Sequence, residues 1–104
     1  MTSPNASLPA SPGISVILPV LNEQAHLEDS IHAILSQNYL GKFEVILALG
    51  PSRDSTNEIA RSLAAQDSRV ILVENPSGRT AAGLNIALHA STQDVVVRVD
   101  AHAE

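Results

Sequence analysis

The 104-residue sequence contains no cysteine and no tryptophan, and it has one tyrosine, Tyr39, and one phenylalanine, Phe43. Without cysteine there is neither a disulfide framework nor a zinc–thiolate centre, and no oxidising compartment is required, so the cytoplasm is the expected location. So few aromatic rings exclude a stacking platform for single-stranded nucleic acid. A net charge of −5 also opposes binding to a phosphate backbone, so no nucleic-acid partner is expected. Long apolar runs are missing as well. The longest, residues 45–49, falls far short of the ~20 residues a membrane helix needs, and no basic residue precedes an apolar stretch at the amino terminus, so neither a span nor a signal peptide is expected in this segment.

What the chain carries instead is aliphatic. Hydrophobic residues make up 44% of it, nearly all Ala, Val, Ile and Leu, against 16% charged, a balance that fits one globular domain. A chain of this size buries roughly two-thirds of the surface its unfolded form exposes, enough for a core. Residues 1–13, rich in Pro, Ser and Ala and without periodicity, are expected to be a disordered leader, with residues 14–104 as the folded portion. Asn5-Ala6-Ser7 matches a glycosylation sequon, which in this context reads as chance.

Four aliphatic runs alternate with three helical patterns. The first run, residues 14–18, is expected to end at Pro19, which has no amide proton to give. Asn22 or Glu23 then opens a helix with Leu27, Ile31, Ile34 and Leu35 on one face. Residues 43–49 form a second strand, stopped by the turn dipeptide Gly50-Pro51. Ser55 and Glu58 have the spacing of a capping box for the second helix, although Asp54 could cap it instead. Its buried face would be Ile59, Ala60, Leu63 and Ala64. Residues 70–74 form a third strand, and a third helix over residues 79–90 would bury Ala81, Leu84, Ala87 and Leu88. Gly83 inside that helix costs about 1 kcal/mol relative to Ala, which implies a close backbone approach. Residues 95–99 form the fourth strand.

The order β-α-β-α-β-α-β with short loops predicts an α/β fold, Rossmann-like, with a mostly parallel sheet. Such sheets bind ligands outside the carboxyl ends of their strands. That makes residues 19–23, 50–54, 75–79 and 100–104 the candidate site. Neither G-x-G-x-x-G nor a Walker A motif is present, so a nucleotide would be held in another way.

Four segments in order carry a resemblance. Val16-Ile17-Leu18-Pro19-Val20-Leu21-Asn22-Glu23 is an apolar strand running into P-x-x-N-E. Pro51-Ser52-Arg53-Asp54-Ser55-Thr56 follows G-S-x-D-x-T. Asn75-Pro76-Ser77-Gly78-Arg79, with Ala82, Gly83, Leu84 and Asn85, follows N-x-G-x-x-x-A-x-N, and Val99-Asp100-Ala101-His102 stands in the place of a D-x-D. Together they resemble the family 2 glycosyltransferases over residues 14–104. The wording R-V-D-A-H-A and A-L-G-P-S-R-D is similar to bacterial exopolysaccharide enzymes of the succinoglycan-glucosyltransferase type.

The resemblance implies the nucleotide-binding half of a GT-A fold. Its donor would be a nucleotide-diphospho-sugar and its acceptor a glycan or lipid-linked sugar. Donor contacts would come from Pro19, Leu21, Asn22, Glu23, Gly50, Arg79 and Asp100, and Asp100 and His102 would hold a divalent metal, Mn²⁺ or Mg²⁺, on the diphosphate. A divalent ion there stabilises the charge that develops on the leaving group without moving a proton. No catalytic residue is assigned within the chain, because the general base of an inverting transfer is expected beyond Glu104. This segment alone is therefore expected to transfer nothing, and a membrane association of the full-length protein stays open.

Two positions depart from the family pattern. The acidic pair that usually ends the second strand is replaced by Leu49 and Gly50, and His102 replaces the second Asp, which would make metal binding sensitive to pH near neutrality. Asn22 and Glu23 could equally start a helix, Arg79 could face an anion or solvent, and Arg53 and Arg98 are further phosphate candidates. His26, His32 and His89 lie on helical surfaces with no partner at metal spacing. The alternative from another class is a non-catalytic nucleotide-binding or interaction module on the same scaffold.

Overall fold

A computed structural model describes residues 12–99. Seven elements follow in the predicted order: β1 (Ile14–Val20), α1 (Leu27–Leu35), β2 (Phe43–Leu49), α2 (Thr56–Gln66), β3 (Val70–Glu74), α3 (Thr80–Ala90) and β4 (Val95–Arg98). Every strand pair is parallel, and the spatial order is β3-β2-β1-β4. The chain steps outward from β1 through β2 to β3, then returns to place β4 on the other side of β1. Such a reversal of strand order opens a crevice at the carboxyl ends of the strands it separates.

Side chains alternate between the two faces of the sheet. Val16, Leu18 and Val20 of β1 and Val45, Leu47 and Leu49 of β2 meet Leu27 and Ile31 of α1 and Ala60 and Leu63 of α2. Ile17, Ile46 and Ala48 turn to the opposite face and pack with Ala87 of α3. Each fully buried Leu or Ile contributes roughly 1.5–3 kcal/mol. Because β1 and β2 are covered on both faces, their sequences read as continuous apolar runs rather than alternating ones.

Several local expectations are corrected. Pro19 does not end β1; it pairs with Ala48 and the strand runs on to Val20. The carbonyl of Ile17 accepts from Val99 N on the β4 side, and that of Val20 accepts from Gly50 N on the β2 side. By alternation, the amide proton that Pro19 lacks would face β4 beyond its last paired residue, so the ladder to β2 loses nothing. Asn22 and Glu23 do not start α1, which begins at Leu27; Asn22 has a φ of 52° and cannot lie in a right-handed helix. The capping box of Ser55 and Glu58 is not formed, since the Ser55 side chain makes no capping bond. Asp54 takes that role one residue earlier, accepting the amide of Thr56 at 2.9 Å.

The buried face of α3 is also rotated from the expected one. Gly83 and Ala87 are buried, whereas Ala81 and Leu88 are exposed. A Cβ on Gly83 would lie 2.7 Å from Asn75 Nδ2 and 3.1 Å from Pro19 Cβ, so α3 sits on the sheet through its glycine, as the sequence implied. At the outer side of the sheet, β4 is an edge strand whose Val95, Val96 and Val97 keep 40%, 37% and 39% of their surface exposed.

The amino edge of the sheet is closed by a polar clasp. Glu44, buried in β2, accepts from Ser15 Oγ at 2.6 Å and from the amide of Thr92 at 2.8 Å, and the Thr92 hydroxyl lies 3.0 Å from the same oxygen. Ser15 Oγ in turn accepts from Gln93 N. Burial opposes ionisation of Glu44, but the hydrogen bonds from Ser15 and Thr92 together outweigh it and hold the carboxyl below the ordinary glutamate value. The clasp joins β1, β2 and the connection into β4.

Candidate functional site

Three loops leave the carboxyl edge of the sheet together: residues 21–26 after β1, 50–55 after β2 and 75–79 after β3. The first two are fastened by side-chain-to-backbone hydrogen bonds in both directions. Asn22 N donates to Ser52 Oγ at 2.9 Å, and Arg53 N donates to Asn22 Oδ1 at 2.7 Å. Glu23 N donates to Thr56 Oγ1 at 2.8 Å, Gln24 N to Asp54 Oδ2 at 3.3 Å, and Ser55 N returns to Gln24 Oε1 at 2.8 Å. The left-handed backbone at Asn22 lets its amide and its side chain reach Ser52 and Arg53 together; asparagine tolerates that conformation better than most residues.

Asp54 is the hub of this brace. Besides Gln24 N it accepts the amide and the hydroxyl of Thr56. The Thr56 hydroxyl first, with backbone amides adding to it, holds the Asp54 carboxyl below its ordinary value. One residue further into α2, Asn57 Nδ2 donates to the carbonyl of Gly50 at 3.0 Å, which ties the end of β2 to the helix.

The third loop is built around Asn75, which is buried. Its amide donates to the carbonyl of Leu49 and its Nδ2 to that of Arg79, while Ser77 Oγ donates to its Oδ1. Gly78 follows with a φ of 70°, a conformation that only glycine adopts without strain. Here the second and third loops touch. A Cβ on Gly50 would stand 3.1 Å from Gly78 Cα and 3.0 Å from Leu21 Cδ1, and a Cβ on Gly78 would stand 3.1 Å from Pro51 Cδ. Leu21 therefore lies across two glycines, and 38% of its surface stays exposed.

Of the residues expected to contact a donor, Leu21, Asn22, Glu23, Gly50 and Arg79 are brought to this one edge, while Pro19 lies inside β1 beneath α3. Glu23 is buried and partnered. Arg53, Arg79 and Arg98 are exposed. Asp100 and His102 lie outside the described residues. Among the described residues, no three His, Asp or Glu side chains are grouped to hold a metal ion, and His26, His32 and His89 are exposed as expected. The sequence reading placed Ser52 and Asn75 in the site windows and Thr56 in a motif without giving them a role, and it missed Gln24 and Asn57. The available signal was that each is a short side chain with hydrogen-bonding capacity in or beside a loop of the same edge.

An apolar groove of about 300 Å³ lies elsewhere, beside α1 over the first half of β1, lined by Ile14, Val16, Ala33, Ile34, Gln37, Phe43, Val97 and Val99. Gln37 is its one polar side chain, so it lacks groups to orient a phosphate.

A parallel sheet in this order, with helices on both faces and braced loops at its carboxyl edge, defines a Rossmann-like α/β fold. The model of Glycosyl transferase family 2 matches residues 15–104, and the chain belongs to that family. It is 36% identical over 89 residues to the succinoglycan biosynthesis protein ExoA of Rhizobium meliloti, covering 84% of this chain and 27% of that protein. It is 40% identical over 93 residues to the putative glycosyltransferase EpsE of Bacillus subtilis, covering 88% and 33%. Among solved structures, the mannosyltransferase PcManGT of Pyrobaculum calidifontis, in complex with GDP-Man and Mn²⁺, superposes with a TM-score of 0.77 at 34% identity, over 86% of this chain and 27% of that one. Glucosyl-3-phosphoglycerate synthase of Mycobacterium tuberculosis, in complex with UDP, gives 0.70 at 27% identity, over 91% and 35%. The chain thus spans about a third or less of the length of these relatives.

Proposed function

We propose that this chain is the donor-binding portion of a glycosyltransferase that takes a sugar from a nucleotide-diphospho-sugar and passes it, with inversion, to a glycan or lipid-linked acceptor in polysaccharide biosynthesis. The observation that carries the reading is the convergence of the first three loops on one sheet edge, the first two locked together by hydrogen bonds and the third packed against the second through Gly50 and Gly78. Such preorganisation lowers the cost of ordering a site around its ligand. The nucleoside would lie against Leu21, Asn22 and Gly50, with Glu23 and Pro19 shaping the loop from behind and Arg79 offering charge to the diphosphate. Relatives crystallised with Mn²⁺ or Mg²⁺ support a divalent cofactor. Asp100 and His102, directly after β4, would hold it, and it would supply charge to the leaving diphosphate. None of the described residues is assigned the role of general base, which an inverting transfer needs.

Calorimetry on the intact protein with a panel of nucleoside diphosphates, with and without Mn²⁺, tests this. Metal-dependent binding that Asp100→Ala abolishes is expected. A folded protein that binds none of them overturns the reading and leaves a non-catalytic module.

A further inference from the structure

We propose that Asn57, in the first turn of α2, is a positioning residue for donor binding, an inference that rests on the donor-binding reading above and deepens it. Without touching the ligand, its side-chain amide holds the peptide between Gly50 and Pro51, where the three loops of the carboxyl edge meet. The peptide before Gly50 needs no such help. Its carbonyl, that of Leu49, accepts from Asn75 N at 2.9 Å, and its amide, Gly50 N, donates to the carbonyl of Val20 at 2.8 Å. The peptide after Gly50 differs, because its nitrogen belongs to Pro51 and carries no proton. Its carbonyl is the only polar handle it has, and glycine restrains its own backbone less than any other residue. That carbonyl accepts from Ser52 N at 2.9 Å, a bond inside the turn that moves with it. It also accepts from Asn57 Nδ2 at 3.0 Å, a bond to a helix seated in the core through Thr56, Ala60 and Leu63.

Two further observations give this bond its meaning. The space around the peptide is tight: a Cβ on Gly50 would stand 3.0 Å from Leu21 Cδ1 and 3.1 Å from Gly78 Cα, and one on Gly78 would stand 3.1 Å from Pro51 Cδ. Rotating the peptide therefore displaces Leu21 of the first loop and Gly78 of the third together. The other end of the Asn57 amide is unmatched, since Oδ1 is buried and accepts from no group of the described residues. The amide cannot be turned over to satisfy it, because Oδ1 would then face the Gly50 carbonyl, acceptor against acceptor. A buried acceptor without a donor detracts from stability, so an apolar side chain of similar size would serve the fold at least as well. Departures from local rules of this kind belong to functional sites. Asn57 sets the shape of the edge at the expense of the fold, which separates it from a residue kept for stability.

The test is titration of UDP, GDP, CDP and ADP, each with Mn²⁺, into the intact protein and into Asn57→Ala, Asn57→Leu and Asn57→Asp, with urea unfolding of all four proteins. A nucleotide that binds the unaltered protein should bind Asn57→Ala and Asn57→Leu about tenfold more weakly. Their urea midpoints should stay within about 0.5 M of the original, because the unmatched acceptor leaves together with the hydrogen bond. Asn57→Asp keeps the shape but offers the Gly50 carbonyl no proton at pH 7, and it should lose at least as much affinity. Unchanged affinity in Asn57→Ala and Asn57→Leu overturns the proposal and leaves the donor-binding reading standing. Affinity that falls only in step with the urea midpoint shows a merely structural residue and overturns it too, and full affinity in Asn57→Asp removes the hydrogen bond as the cause. Binding of none of the four nucleotides by the unaltered protein overturns the donor-binding reading and this role with it.

Discussion

The two ends of the sheet each use a carboxylate to tie loops together, and they use it for different ends. At the amino edge Glu44 is buried, accepts from two hydroxyls and one amide, and holds β1, β2 and the entry to β4 in register. At the carboxyl edge Asp54 is exposed and accepts from Gln24 N and from Thr56, so it joins one loop to another rather than strand to strand. A buried carboxylate deprived of its partners, or partners deprived of their carboxylate, leave unsatisfied polar groups that water cannot reach. An exposed one exchanges its partners for water. The first therefore governs stability, and the second governs the shape of a surface.

The sharpest way to break this contrast is Glu44→Ala. It leaves the buried Ser15 hydroxyl without its acceptor and removes the anchor of the exposed Thr92, and unfolding in urea should show a loss of about 3 kcal/mol. Nucleotide affinity of the molecules that remain folded should not change. Next in size is Gly83→Ala, which drives a methyl group to within 2.7 Å of Asn75 Nδ2 and 3.1 Å of Pro19 Cβ. Overpacking of this kind costs typically 1–3 kcal/mol, and here about 2 kcal/mol is expected in the same assay. Because Asn75 holds the third loop, this variant should also weaken nucleotide binding, which Glu44→Ala should not.

Much of the fold was legible in the sequence because short aliphatic runs bounded by turn residues suit strands. Residues 43–49 coincide with β2, where five consecutive aliphatic residues stop at Gly50-Pro51, and residues 70–74 coincide with β3, an edge strand whose run ends at Glu74 before Asn75-Pro76. The family was legible from four short motifs, and the comparisons bear that out. The errors fell where one residue type serves two purposes. Pro19 was read as a stop because it lacks a donor, yet only the geometry of the neighbouring strands decides whether that donor is needed. Ser55 and Glu58 fit a capping box, but Asp54, one position earlier, offers two acceptor oxygens and outcompetes the single hydroxyl. On α3 the small residues Gly83 and Ala87 face the sheet and Leu88 faces outward, because the close approach over Pro19 and Ala48 leaves no room for a larger side chain. Glu44 carries a signal of its own: a lone charge inside an otherwise aliphatic central strand must be paired.

Acid separates the two carboxylates more gently. Both have folded-state values held below the ordinary ones of 4.5 for Glu44 and 3.8 for Asp54. A depressed carboxyl gives stability that is complete above its unfolded value and is withdrawn as pH falls through the folded one. The share of stability these two carboxylates supply should therefore be flat from pH 7 to about 5 and decline below about 4.5, beside a separate loss at Asp67, which Arg69 holds down to about 2. Glu44→Gln should flatten part of that decline; Asp54→Asn should flatten less of it. The reverse ranking would place the main pH-sensitive contact at the carboxyl edge.

The smallest effect is the most local. Asn22 combines a φ of 52° with a side chain that accepts from Arg53 N, so conformation and brace can be separated by substitution. Asn22→Gly removes the acceptor but keeps the backbone at ease; Asn22→Ala removes the acceptor and adds the steric cost of a left-handed residue. Both variants lose the same hydrogen bond, so their difference in unfolding free energy reports the left-handed strain less the extra unfolded-state freedom of glycine, and Ala should be the less stable by about 0.5–1 kcal/mol. Both should weaken nucleotide binding to the same degree, because the loop is loosened equally in each. Equal stability of the two would mean that the loop after β1 relaxes out of the left-handed conformation when its side chain is lost. The brace would then set the backbone at Asn22 rather than depend on it.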